Sequence, residues 1–217
     1  GACLFDLACG DARVRPTAAD GRDACAAALD GGTAPLPRGN VGAGTGCTVG
    51  KLAGPDRAMK SGLGEDVERA GKLLCGAVAA VNACGDVRDP ETGEPAAGMR
   101  TEDGRALASS AEALLGGFAQ MPLERTNTTI SCVVTNARLT KAQATKVAQM
   151  AADAYAHAIT PTHTTNDGDT VFVMATGEVD APVDVVGALA TRALGRAIVD
   201  GARQAVSAYG YPAARDL

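Results

Sequence analysis

The sequence predicts a mixed fold, α/β or α+β, and three observations carry that prediction. Short apolar runs of strand length alternate with long segments of helical period. The chain has 217 residues, 46% of them hydrophobic, enough for one domain that buries roughly 70% of its unfolded surface. Only 3% of residues are aromatic and none is Trp, so the core must be Ala, Val and Leu packed closely around Gly. Residues 1–217 are therefore read as a single domain, and the alternation leaves strand order open.

In chain order, residues 1–7 (GACLFDL) are apolar from the second position and read as a strand. Residues 20–29 read as an Ala-rich helix with Asp20 as its N-cap. A Gly/Pro loop over 31–38 leads into a Gly-rich stretch over 39–51. The apolar run 73–81, bounded by Gly71 and Gly85-Asp86, reads as a buried strand. Residues 89–94 form a turn, 98–104 a mobile polar loop, and 105–118 a short helix ending near Gly116-Gly117. Residues 122–126 lead into a strand over 128–138, carried by Ile130, Val133 and Val134. Thr140 and Gln143 make a capping box. It opens a helix to about Ile159 with Ala144, Val147, Ala151, Ala154 and Ala158 on one stripe. Residues 169–175 give another strand, and 184–207 a long helix broken softly at Gly187, Gly195 and Gly201.

Composition excludes several functions. A net charge of −5 argues against nucleic acid and anionic membrane as partners, since both attract clustered Lys and Arg. No apolar run approaches the ~20 residues of a membrane span. The seven cysteines show no C-x-x-C spacing, so zinc and thioredoxin-type readings lack their pattern. Most of them read as small buried hydrophobes in a reducing, cytoplasmic setting. The Gly-rich stretch fails as a P-loop, because Thr45 stands where Gly is needed and Leu52 follows Lys51. It fails as a dinucleotide loop because Cys47 or Val49 stands at the third Gly position.

The remaining motifs each have two readings. Asn127-Thr128-Thr129-Ile130 is a β-branched strand start, or an internal nucleophile whose hydroxyl attacks the preceding carbonyl. In the second case the freed Thr carries an α-amine of ordinary pKa near 7.7–8.0, a general base poised near neutrality. Asp167-Gly168-Asp169 is a turn, or a carboxylate pair that orients a base. Asn82 ends an apolar run as a turn residue, or as an amide donor to an oxyanion. Lys51 is a solvated lysine unless a site claims it. His157 and His163 have no Ser or Cys partner in view and read as structural.

These pieces occur in an order that resembles the DmpA-type aminopeptidase family. The matching segments are Asn40-Val41-Gly42-Ala43-Gly44-Thr45-Gly46 with Val49-Gly50-Lys51, and Met59-Lys60-Ser61-Gly62-Leu63-Gly64. They continue through Val81-Asn82-Ala83-Cys84-Gly85-Asp86-Val87, Asn127-Thr128-Thr129-Ile130, and His163 with Asp167-Gly168-Asp169-Thr170-Val171-Phe172. The family is similar to β-peptidyl aminopeptidases and 6-aminohexanoate (nylon) oligomer hydrolases, and to ornithine acetyltransferase in architecture. The resemblance implies an αββα sandwich self-cleaved into residues 1–127 and 128–217. It implies Thr128 as nucleophile, Asn127 before the cut, and Lys51, Asn82, Asp167 and Asp169 around it. Asn-Thr at the cut and Asp-x-Asp at the pair stand closer to the oligomer hydrolases than to the Gly-Ser and Ser-x-Glu of the aminopeptidases. A front segment of the family has no match here, which reads as a truncated product or as a remainder carried on another chain.

The resulting expectation is an amide hydrolase acting on small peptides, β-peptides or 6-aminohexanoate oligomers, with no cofactor and no metal. Lys51, paired with Asp169 or Asp167, should lie within a few ångströms of Thr128, and Asn82 should serve the oxyanion. An acyltransferase of the ornithine acetyltransferase type and an inactive truncated relative are the alternatives. The family implies a homo-oligomer, a tetramer or at least a dimer, and the Ala/Gly-rich residues 184–207 suggest a flat packing surface for it.

Overall fold

The computed structural model describes residues 1–31, 35–116 and 127–217. The regular elements, in order, are α1 (Ala18–Asp30), β1 (Thr48–Val49), β2 (Met59–Lys60), β3 (Leu63–Ala70), β4 (Leu73–Asn82), β5 (Asp86–Arg88) and β6 (Pro95–Ala97). They continue with α2 (Ser110–Leu115), β7 (Thr128–Ala137), α3 (Lys141–Ala158), β8 (Ile159–Thr160), β9 (Thr170–Val179) and α4 (Val183–Gln204). The principal sheet runs β3-β4-β7-β9; β7 and β9 are parallel and the other pairs antiparallel. Two small sheets, β6-β5-β8 and β1-β2, flank it. This mixture of helix and sheet agrees with the α+β reading.

The core lies between the principal sheet and helices α3 and α4. Alternate residues of β4 and β7 (Cys75, Ala77, Ala79, Val81, Val133 and Ala137) meet Val147, Ala151, Ala154 and Tyr155 of α3 and Ala190, Leu194, Ala197 and Ile198 of α4. Small side chains let these layers approach closely. A Cβ on Gly64 of β3 would run into the backbone of Ala197 and Gly201, so Gly64 and Gly201 set the distance of α4 from the sheet.

Several expectations change. Residues 1–7 form no strand; no neighbouring strand pairs with them among the described residues. Asp20 is not the N-cap of α1. Thr17 is, and Asp20 answers it from the third helical position in a capping box. The helix expected over 105–118 begins only at Ser110, where the Ser109 side chain accepts from Glu112 N. It ends at Leu115 with Gly116 as C-cap, at the expected Gly116-Gly117; residues 117–118, the lead-in 122–126 and part of the 31–38 loop lie outside the described residues. The 98–104 loop is tethered: Met99 N donates to Asp86 Oδ1 and Arg100 N to the Arg57 carbonyl. Helix α4 is continuous, and most of its small residues (Gly187, Ala190, Ala193, Gly195, Ala197, Gly201 and Ala202) face the interior of the chain, with Ala188 exposed. Only Cys47, Cys75 and Cys84 are buried; Cys9 and Cys132 are intermediate, Cys3 and Cys25 exposed, and none of the seven is in a disulfide. No helix among the described residues is long and apolar enough to cross a membrane.

Candidate active site

One end of the principal sheet gathers the sequence-predicted residues. Thr128 opens β7 and pairs in register with Asn82, the last residue of β4. The residue before it, Asn127, bridges in parallel to Asp167, just ahead of β9. Thus ends distant in sequence meet because β4, β7 and β9 are neighbours. Thr128 and Asn82 are 7% and 1% exposed, so this polar row is shielded from bulk water.

The Thr128 hydroxyl donates to the carbonyl oxygen of Asn127 at 2.5 Å. That carbonyl also accepts from Gly168 N at 2.9 Å. Lys51 Nζ donates to Asn82 Oδ1 at 2.8 Å and to the Asn82 carbonyl at 2.9 Å. Asn82 Oδ1 accepts a second bond from Thr48 N, and Asn82 Nδ2 donates to the Phe5 carbonyl at 2.9 Å. The amide nitrogen expected to serve an oxyanion therefore faces a backbone carbonyl here. Burial lowers Lys51 to about 8, against the opposing pull of Cys47, Cys84 and Asp167.

The two aspartates hold the backbone. Asp169 Oδ1 accepts from Thr129 N at 2.8 Å, one residue past Thr128. Asp167 Oδ2 accepts from Thr164 N and Thr164 Oγ1, both at 2.7 Å, and so fixes the loop that delivers Gly168. The expected pairing of Lys51 with Asp169 or Asp167 is absent among the described residues. The Asp169 carboxylate is taken by the Thr129 amide and by His163 Nδ1 at 3.0 Å. Lys51 instead bonds to Asn82 at the end of β4, with Asp167 near enough to pull on its charge. Burial pushes the Asp169 carboxyl up, opposed by the Thr129 amide and by His163.

His163, read as structural from the sequence, is thus a member of this cluster. It adopts φ 54° and meets Tyr155 edge to face at 5.6 Å between ring centroids. Its place six residues before Asp169, in the same loop, was the available signal. Tyr155, also unforeseen, lies within hydrogen-bonding distance of Ser131 Oγ and the Thr129 and Thr170 carbonyls, tying β7 to β9. His157 is on α3, away from these contacts. Two buried polar atoms beside Thr128, Asn127 Oδ1 and Thr129 Oγ1, have no partner among the described residues. Such orphans cost about 1–3 kcal/mol each. No group of three or more metal-ligating side chains is found among the described residues.

Comparison with known proteins points the same way. The chain is 40% identical to an uncharacterized aminopeptidase of Mycobacterium leprae, over 98% of this chain and 62% of that protein. It is 30% identical to a 6-aminohexanoate-oligomer endohydrolase of a Kocuria species, over 83% of this chain and 50% of that protein. It therefore spans between half and two thirds of the length of these relatives. Its fold is similar to that of the L-aminopeptidase D-Ala-esterase/amidase of Ochrobactrum anthropi, an Ntn-hydrolase variant. There the TM-score is 0.53 at 19% identity, covering 80% of this chain and 46% of the other. A Burkholderia β-aminopeptidase gives TM-score 0.50 at 20% identity, covering 78% and 47%. Residues 2–212 match the profile of peptidase family S58, and the chain belongs to that family.

Proposed function

We propose that this chain carries the catalytic centre of an amide hydrolase whose nucleophile, Thr128, is freed by self-cleavage after Asn127. The observation that carries this reading is the Thr128 hydroxyl resting on the carbonyl of the residue before it. In the self-cleavage, Thr128 Oγ bonds to the Asn127 carbonyl carbon, the Asn127–Thr128 C–N bond breaks, and the hydroxyl proton ends on the departing nitrogen. Water then hydrolyses the ester, leaving an Asn127 carboxylate and an N-terminal Thr128.

In the mature site the Thr128 α-amine takes the hydroxyl proton as a substrate carbonyl is attacked. Lys51, bonded to Asn82 beside it, supplies a positive charge that favours the neutral amine. The substrate carbonyl takes over the Asn82 Nδ2 bond that Phe5 holds here. Asp167 and Asp169 fix the strand ends. Small peptides, β-peptides and 6-aminohexanoate oligomers are the substrate class, with Asp-x-Asp favouring the last. Seven cysteines, none in a disulfide, support a reducing, cytoplasmic setting, and a homotetramer is the expected assembly.

Intact mass and N-terminal sequencing test the reading. Fragments 1–127 and 128–217 are expected, with a new Thr N-terminus, and Thr128→Ala should stay one chain. Processing that continues in Thr128→Ala refutes it. Transfer of the acyl group to added amines in preference to water would favour the acyltransferase instead.

A further inference from the structure

Gly168 stands between the two aspartates, and two independent facts single it out. Its backbone amide donates to the Asn127 carbonyl oxygen at 2.9 Å. That oxygen belongs to the bond that self-cleavage would break. Its missing side chain matters as well. A Cβ built on Gly168 would lie 2.8 Å from Thr128 Oγ1, and its next nearest neighbours, also Thr128 atoms, would be 3.7 and 3.8 Å away. No positive φ is involved, so the backbone here suits any residue. The hydroxyl of Thr128 is the one close obstacle among the described residues.

We propose that Gly168 drives the self-cleavage step in two ways: its N–H stabilises the oxyanion that forms on the Asn127 carbonyl, and its bare Cα leaves the space from which the Thr128 hydroxyl attacks. The inference rests on the self-cleavage reading and deepens it. As Thr128 Oγ bonds to the carbonyl carbon, the carbonyl electron pair moves onto the oxygen that Gly168 N–H already holds. The charge returns when the C–N bond breaks and the nitrogen takes the hydroxyl proton. A donor fixed in the β7–β9 bridge needs no reorganisation as the charge develops. Asp167, through its bonds to Thr164, and Asp169, through Thr129 N, hold the two sides of this contact in register. The donor lies on the β9 side of the scissile bond, whereas Asn82, expected to serve the substrate, lies on the β4 side.

The test is Gly168→Ala in the 217-residue chain, with the fragments timed on denaturing gels and by intact mass. Because a displacement near 1 Å at a reacting group costs on the order of 10²-fold, processing should slow about 10- to 100-fold while the unfolding midpoint stays near that of the wild type. Hydroxylamine, which cleaves esters, should not accelerate the variant, since its block precedes ester formation. Wild-type processing rate in Gly168→Ala, or a hydroxylamine-sensitive ester accumulating in it, overturns the proposal. If Gly168→Ala folds poorly, Thr128→Ala/Gly168→Ala removes the obstructing hydroxyl and should regain the midpoint of Thr128→Ala. Persistent destabilisation there overturns the steric argument. An uncleaved wild-type chain would instead remove the self-cleavage reading itself, so the two failures are distinct.

Discussion

The two faces of strand β7 differ in what they are for. Thr129, Ser131, Val133, Thr135 and Ala137 point to the helices and are buried, at 2% exposure or less. Thr128, Ile130, Cys132 and Val134 point away, and exposure along that face rises to 41% at Val134. In register with them stand Val78 and Gly76 of β4 and Phe172 and Met174 of β9. The helix face holds the sheet together; the other face carries Thr128, the proposed nucleophile, at its buried end. A single strand thereby separates stability from chemistry by the period of two.

Removing Lys51 should produce the largest effect that leaves the helix face alone. Lys51→Met should lower hydrolysis by on the order of 10²-fold, and it carries a stability signature. The folded lysine titrates at about 8, the unfolded one near its ordinary ~10.4. Between these values the unfolded chain binds more protons, so this group makes stability rise with pH. The buried thiols act oppositely. Cys47, pushed up to about 12, and Cys75 and Cys84, pushed up to about 11, lose stability as pH rises above the ordinary thiol range. The difference between wild type and Lys51→Met removes the common part of the thiol contribution and leaves the lysine with its coupling to Cys47 and Cys84. Chemical denaturation from pH 7 to 10 should show the variant's advantage shrinking as pH rises. A constant difference would mean that Lys51 keeps an ordinary pKa.

Neighbouring valines measure the contrast directly. Val133 is fully buried, and Val133→Ala should cost roughly 1.5–3 kcal/mol of stability. Val134→Ala, one residue on and facing outward, should stay within about 0.5 kcal/mol. Equal losses, read by urea denaturation of the 217-residue chain, would show that the outward face is packed as tightly as the core.

The helix face was far more legible in the sequence than the site. Periodicity located α3, α4, β4 and β7, because burial against helices imposes a pattern on alternate or stacked residues. It could not locate the partner of Lys51. Which acceptor a half-buried lysine meets depends on where the end of β4 and the 161–169 loop come to rest around it, and no period encodes that. The order of motifs brought Lys51, Asn82, Thr128, Asp167 and Asp169 together as a set. The bonds that its members make, Lys51 to Asn82 and Asp169 to His163, follow from strand register and loop geometry. Residues 1–7 misled for a related reason: an apolar run becomes a strand only where an edge is free to pair with it.

His163 should give the smallest effect, and it sharpens the distinction between residues that react and residues that hold. Its side chain is 48% exposed and its partner Asp169 is 7% exposed, so solvent screens one side of the pair. Exposed pairs contribute at most about 1 kcal/mol, and His163→Ala should change the unfolding midpoint little. Its consequence runs through Asp169. Burial already raises that carboxyl, and His163 is one of the groups pulling it back down. Without the imidazole the carboxyl should protonate at a higher pH. Protonated, it still has an oxygen for Thr129 N, but a weaker acceptor, so the strand beside Thr128 loosens. Hydrolysis at pH 8 should therefore fall less than about tenfold, while the acid limb of the pH–rate profile moves upward. His163→Gln, able to donate to Asp169 without carrying charge, should restore the pH 8 rate but only part of the acid limb. Superimposable acid limbs for wild type and His163→Ala would show that Asp169 holds the strand without help from the histidine.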